Sequence, residues 1–211
     1  TLKLNGSSSG YTAIDAPAAA GSNTLVLPTT NGTSGQVLQT DGNGNLSWVT
    51  PGAGKLLQVV QTVRTQTGSS AVTSWTTLAA GDGNVEVAIT PSATSSKILV
   101  SASIVGYNDD DNESFHFRLV RGSTAIAVGD SSGSRTQASF TLDSYGAGNL
   151  THKNAYIEYL DSPNTTSATT YALQGLRGSA GTFYFGRNDS DGNGAETGRF
   201  PTIITVKEIG A

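Results

Sequence analysis

The chain has no cysteine and no methionine, only 2 Trp and 2 His, and just 13% charged side chains among its 211 residues. Without Cys there are no disulfides, no thiolate nucleophiles, and no zinc-finger or iron–sulfur sites. Lys and Arg total 12 against 16 Asp and Glu, a net charge of −4. Nucleic-acid binding needs clustered Lys and Arg, so this balance argues against a nucleic-acid partner. No apolar run approaches the ~18 residues of a membrane helix. No basic-then-apolar signal segment opens the chain. Lacking an initiating Met, the sequence fits a processed product or a segment of a longer chain. Leu, Ile, Val and Phe together number only 45, a thin supply for a core at this length.

What the chain does have is small and hydroxylic: 26 Gly, 28 Thr and 25 Ser. Net charge is low and β-branched residues are common, so the chain reads as ordered and β-rich rather than disordered. A thin core suggests that burial is completed by other copies of the chain.

Composition shifts near Pro51-Gly52-Ala53-Gly54. Residues 1–54 carry 9 Gly, no Phe and 10 residues of the Leu/Ile/Val set. Short strands are predicted at Tyr11–Ile14 and Thr24–Leu27, ended by Pro17 and Pro28. A hairpin follows: Gln36–Gln39, the turn Asp41-Gly42-Asn43-Gly44, then Leu46–Val49. Asp-Gly and Asn-Gly supply the positive φ angles that tight hairpins need. Isolated two-stranded hairpins are marginal in water, so this segment should order only against a partner.

From Lys55 onward, apolar and polar residues alternate. Val85, Val87 and Ile89 share one face. Ile98, Val100, Ala102 and Ile104 do so in Lys97–Tyr107, and Phe115, Phe117 and Leu119 in Ser114–Val120. Further strands are predicted at Leu56–Gln66, Ser74–Leu78, Ala125–Gly129, Ala138–Leu142, Ala155–Leu160, Thr169–Leu176, Thr182–Gly186 and Ile203–Ile209. Short strands separated by turn signals predict an all-β antiparallel sandwich with jelly-roll-like connections over 55–211, preceded by a short-stranded segment over 1–54. Its core should include Val85, Val87, Ile89, Ile98, Val100, Phe115, Phe117, Ile157, Tyr159 and Val206.

Chemistry-bearing residues gather in turns. The densest acidic run is Asn108-Asp109-Asp110-Asp111-Asn112-Glu113. Asp189-Ser190-Asp191-Gly192-Asn193-Gly194 matches the first half of a Ca²⁺ loop, but Phe200 stands where that motif needs its bidentate Glu. Both read as solvated turns, with no metal or cofactor expected. The histidines are His116, alternating with phenylalanines on a strand, and His152, after a Gly-rich loop. There is no G-x-S-x-G elbow and no pair of carboxylates placeable across a cleft, so no enzymatic activity is expected. Tyr107, Tyr145, Tyr184 and Trp75 read as sheet packing, or alternatively as exposed aromatics of a recognition surface. Recognition is expected at loop tips, which carry binding residues while the sheet holds them in place. The candidates are Asn108, Asp109, Asp110, Asp111 and Asn112, with Asn188, Asp189, Asp191 and Asn193. Their side chains suit hydrogen bonding to sugar hydroxyls.

Several phrases have a familiar form. Ser34-Gly35-Gln36-Val37-Leu38-Gln39-Thr40-Asp41-Gly42-Asn43-Gly44-Asn45-Leu46-Ser47-Trp48 resembles the segment before the distal domain of marine bacteriophage tail fibres. Leu119–Ile126, Leu160–Tyr171 and the ending Thr202–Ile209 resemble phrases of that distal domain, with Lys207 standing where that family would have Met. The resemblance implies a virion fibre outside the cell: a parallel homotrimer joined to other virion tail proteins. Its distal β domain would meet a host glycan or outer-membrane protein. A head fibre, capsid decoration or tail adaptor with a purely structural role is the alternative. In a trimer, Leu25, Leu27, Val37, Leu38 and Trp48 should be buried largely by neighbouring chains.

Overall fold

The computed structural model describes residues 2–19, 21–50, 54–110, 112–144, 152–189 and 191–210. Among them there is no helix; the chain is all β and its strand pairings are antiparallel. Two compact units divide it, residues 1–52 and 53–211.

The first unit holds two separate hairpins. β1 (Leu2–Asn5) pairs with β2 (Tyr11–Ile14), and β3 (Val37–Thr40) with β4 (Leu46–Val49). The Asp41 turn closes β3–β4: its carboxylate accepts the Asn43 N–H at 2.8 Å and the Asn45 amide at 2.7 Å. The bond from Asn45 above all holds that carboxyl below its ordinary range. Thr24–Leu27 does not form the expected strand. Only Val26 pairs, in a single bridge to Asn45, before Pro28 removes the next useful donor. All residues of β1, β2 and β3 are exposed, and so are Leu25, Val26 and Leu27. Trp48 finds part of its cover at home, donating Nε1–H to the Thr30 carbonyl at 2.7 Å.

The second unit is a sandwich. Its strands are β5 (Leu56–Arg64), β6 (Gly68–Ser70), β7 (Thr76–Thr77), β8 (Ala79–Ala80), β9 (Gly83–Asn84), β10 (Glu86–Ile89), β11 (Lys97–Asn108), β12 (Ser114–Arg121), β13 (Thr124–Ile126), β14 (Phe140–Asp143), β15 (Lys153–Asp161), β16 (Thr169–Arg177), β17 (Phe183–Phe185) and β18 (Thr202–Ile209). One sheet runs β10–β16–β12–β13, with β14 on β12 and β7 on β16. The other runs β5–β18–β11–β17–β6–β8–β9, with β15 on β11.

The core lies between the sheets. Val85, Val87, Ile89, Ile98, Val100, Phe115, Phe117 and Val206 are all buried, as alternation requires. Ile157 is half-buried against them. Tyr159 departs from expectation. It opposes buried Val100 on the core-facing side of β15, yet is 37% exposed because β15 is a sheet edge. A phenylalanine cluster fills one end, with Phe183 at 4.8 Å from Phe115 and 5.0 Å from Phe117.

Two polar clasps close the sandwich. Arg121 of β12 places Nη1 2.8 Å from Asp161 of β15, and the Tyr171 hydroxyl of β16 donates to Asp161 at 2.7 Å. Burial, with that bond, raises the Tyr171 phenol above its ordinary pKa. On the other side of β11, buried Glu208 of β18 accepts from Ser92 and from Gln58.

Candidate functional site

The long strand β11 ends where both sequence candidates begin. Its last residues pair with β17: Gly106 with Phe185, Tyr107 with Tyr184, Asn108 with Phe183. Gly106 is required there, since a Cβ would collide with the Tyr184 carbonyl and the Phe183 ring. β17 then runs through Gly186 into the 187–199 loop. One short pairing therefore brings 108–112 and 188–194 to the same end of the sandwich.

Tyr107 is the hinge pin. It is buried, stacks on Tyr184 with centroids 5.4 Å apart, and donates its hydroxyl to the Asp189 carbonyl at 3.1 Å. Burial raises its pKa, partly offset by the Arg187 charge. His152 packs edge-on against it at 5.5 Å and accepts the Asp189 N–H through Nε2 at 2.9 Å. In that bond Nε2 is the acceptor.

The 108–112 loop spends its polar groups internally. Asn108 is buried, and its Oδ1 accepts the Asp110 N–H at 3.2 Å; its Nδ2 has no partner among the described residues. Asp109 accepts the Thr182 N–H at 2.6 Å, and its own N–H bonds the Thr182 carbonyl. Asp110 accepts the Asn112 N–H at 3.4 Å, and its carbonyl takes the Ser144 hydroxyl. Gly181 sits against Asn108 and Asp110 at φ +77°. Its left-handed backbone and lack of a Cβ both suit that contact. Asp111 lies outside the described residues, as do Tyr145 and Ser190. Next to the loop, Glu113 accepts from Ser179, chiefly its hydroxyl, which lowers the carboxyl's pKa.

The 188–194 loop is organised by arginines that the sequence did not single out. Asp191 stands 3.5 Å from Arg187 and 2.9 Å from Arg199. The Asn188 side chain accepts the Gly198 N–H at 2.8 Å, which pins the loop's return. Asn193 is exposed. Two guanidinium groups on Asp191 suit an ion-paired turn and oppose a cation there. Among the described residues no three His, Asp or Glu converge on a metal-sized site.

Beside this end lies an open cleft of about 480 Å³, lined by 67–69 of the β6 region, 79–81 of the β8 region, Tyr184, Arg187 and Asp191. Arg187 lies 4.5 Å over the Tyr184 ring. The cleft therefore presents one cation, one anion, one phenol and the backbone groups of small residues. That set suits a neutral polyhydroxylated ligand held by hydrogen bonds, where donors and acceptors are needed in both senses. The signal that could have found it was Phe183-Tyr184-Phe185: with two phenylalanines facing the core, the tyrosine between them must face out. Elsewhere, Trp75 is half-buried with Arg118 4.5 Å over its ring, a packing role. His116 bonds Thr141 at 2.9 Å, and burial lowers its pKa.

No family model and no curated protein matches the chain. Among solved structures it is similar to one titled "Structure of Eiger TNF from S. frugiperda", at 8% identity, a TM-score of 0.31, and coverage of 68% of this chain and 91% of that one. A likeness that loose carries no argument about function.

Proposed function

We propose that this chain is a bacteriophage tail-fibre protein that attaches the virion to a host cell surface. In this reading residues 1–54 are the end of a fibre shaft, three copies assemble in parallel, and residues 55–211 form the distal recognition domain. The partners are other virion tail proteins on one side and a host glycan or outer-membrane protein on the other; the protein works outside the cell, on the virion. The observation that carries the reading is the meeting of the 108–112 and 188–194 loops around Tyr107, beside a polar cleft. A rigid β scaffold presenting adjoining loops is how many binding sites are built. The resemblance of Ser34–Trp48 and Thr202–Ile209 to fibre sequences supports it.

A purely structural virion role has one specific observation in its favour. Asp109, Asp110 and Asp191 are already bonded within the chain, which is how load-carrying turns are made. The test separates the two. Arg187→Ala empties the cleft of its cation. Asp191→Asn removes the charge while keeping a residue that tolerates its φ of +41°. With assembly unchanged, each should reduce adsorption to host cells at least about tenfold, the loss of one or two charge-assisted hydrogen bonds. Full adsorption by both variants would favour the structural role.

A further inference from the structure

In β12, Phe115, Phe117 and Leu119 point into the core, so Arg118 stands on the outer face of its sheet. Register sets it beside Gln174 of β16, and Gln174 beside Thr77 of β7. Trp75 directly precedes β7 and so arrives at the same place. Two contacts then fix the guanidinium. It lies 4.5 Å over the Trp75 ring, and its Nε donates to Gln174 Oε1 at 2.9 Å. The stack sets its plane and the bond sets its rotation. Donors are left over. Neither Nη of Arg118 makes a hydrogen bond or ion pair among the described residues. Gln174 turns its oxygen to Arg118, so its Nε2 is a further donor without a partner there, and the Trp75 indole N–H is another. Arg121, Arg187 and Arg199 each meet a carboxylate; Arg118 meets none among the described residues. The acids on its own face are Asp143 and Glu86. Asp143 pairs with Ser114, four residues or about 13 Å along β12, and takes the Ser114 hydroxyl. Glu86 stands on β10, beyond β16, and takes the Asn84 amide. Arg118, Trp75 and Gln174 are all half-buried, and burial lowers the Arg118 pKa. A cation drawn partly out of water with no counter-charge costs free energy, and such groups gather at functional sites.

From this we infer that Trp75, Arg118 and Gln174 form a carboxylate-binding site on the outer face of β12 and β16, which takes the acid group of a uronic-acid sugar. Charge and donor count select an anion. The three side chains present Nη1, Nη2, Nε2 and the indole N–H as donors, and their one acceptor oxygen is already engaged. The cleft beside Tyr184 differs, since it offers a carboxylate and a phenol as well as a cation. The planar guanidinium fork matches the two oxygens of a carboxylate. A phosphate monoester carries about −1.5 to −2 charge, whereas one guanidinium supplies a single positive charge, which favours the carboxylate. The sugar in this inference rests on the host-glycan reading of the proposed function; the anion rests on these three side chains alone.

The test uses the full chain, titrated by calorimetry with trigalacturonate and with maltotriose, a neutral sugar of the same length. The chain has only 2 Trp, so labelling with 5-fluorotryptophan gives one fluorine signal for Trp75 and one for Trp48. Trigalacturonate should bind and shift the Trp75 signal while leaving that of Trp48 in place; maltotriose should do neither. Arg118→Gln should weaken trigalacturonate at least about tenfold, and Arg118→Lys, which keeps the charge without the fork, should not restore it. Gln174→Glu sets a carboxylate of the chain's own against the guanidinium and should also block the probe. This variant decides the matter if melting shows that Arg118→Gln does not fold. No binding up to about 10 mM, where a site of roughly millimolar Kd is nearly full, would overturn the site. So would equal affinity in the parent and the folded variants, or an equal Trp75 shift with maltotriose. Galactose 6-sulfate binding more tightly than galacturonate would overturn the carboxylate as the ligand. Adsorption of the Arg187 and Asp191 variants to host cells is a separate readout, so failure here leaves the host-attachment reading standing.

Discussion

Glu208 is fully buried, yet it is held ionised. Burial alone pushes a carboxyl upward, but the bonds from Ser92 and Gln58 outweigh it and bring the group from its ordinary 4.5 down to about 2. The sign follows from linkage. A carboxyl depressed in the folded state contributes stability that is present above its unfolded value and is lost as pH falls through the folded one. The melting midpoint should therefore hold from pH 7 to about 5 and fall between about 4.5 and 2. Asp41 and Glu113, also depressed, add to the fall. Glu208→Gln should lower the midpoint at neutral pH, at a cost of about 1–3 kcal/mol for bonds left mismatched in the interior. It should also flatten the acid limb relative to the parent. A variant whose acid limb matches the parent's would show that Glu208 is not the group being titrated. Tyr171 is a different case. Its bond to Asp161 joins the two sheets, so its role is positional.

At the scale of elements, three-residue β17 does more than its length suggests. Phe183 and Phe185 are both fully buried, and Tyr184 between them faces the cleft. Phe183 pairs with Asn108 directly beside the bonds that tie Thr182 to Asp109. Phe183→Ala should cost about 3–5 kcal/mol for the cavity it leaves. It should also speed amide exchange in 108–112 and 182–189 more than in β12, because the loops lose their anchor. Uniform acceleration across the sandwich would contradict that local role. β10, β11, β12, β16 and β18 were legible because their apolar residues alternate, and a slip of one would turn each set outward. β6, β8 and β9 were not, being built of Gly, Ser, Ala and Asn, which carry no apolar period. The strand expected over Ala125–Gly129 stops at Ile126, where Ala127 takes φ +54°. For the site, the loops were legible from their Asn, Asp and Gly content. Their meeting was not, because it depends on Gly106 pairing with Phe185, residues 79 apart. Nor were the two arginines on Asp191, since ion pairs across a loop leave no period to read.

The whole molecule is uneven in how it uses its apolar residues. The sandwich buries the apolar set between its sheets, although Val59, Tyr156 and Leu160 stay exposed on its strands. The first unit shows Leu2, Leu4, Tyr11, Ile14, Leu25, Leu27, Val37 and Leu38 to solvent, each at least 45% exposed. Isolated hairpins of four-residue strands are marginal, and a segment of about fifty residues rarely builds an adequate core alone. Burial at ~25 cal/mol per Å² would reach these side chains in the assembly of copies proposed above. Their stability should therefore depend on concentration, by mass action. In a melt of the full chain, an early transition assigned to residues 1–52 should move up with protein concentration, whereas intrinsic sandwich stability does not require a partner. Leu25→Ser with Leu38→Ser, both exposed within the chain and so harmless to its local fold, should lower that early transition and reduce the assembled mass. Trp48 donates to the Thr30 carbonyl, and in the proposed assembly its ring would also meet a neighbouring copy, so Trp48→Ala should lower the same transition by two routes. A first unit that melts at one temperature across a hundredfold dilution, and in the serine variant alike, would mean that these hairpins stand without neighbours.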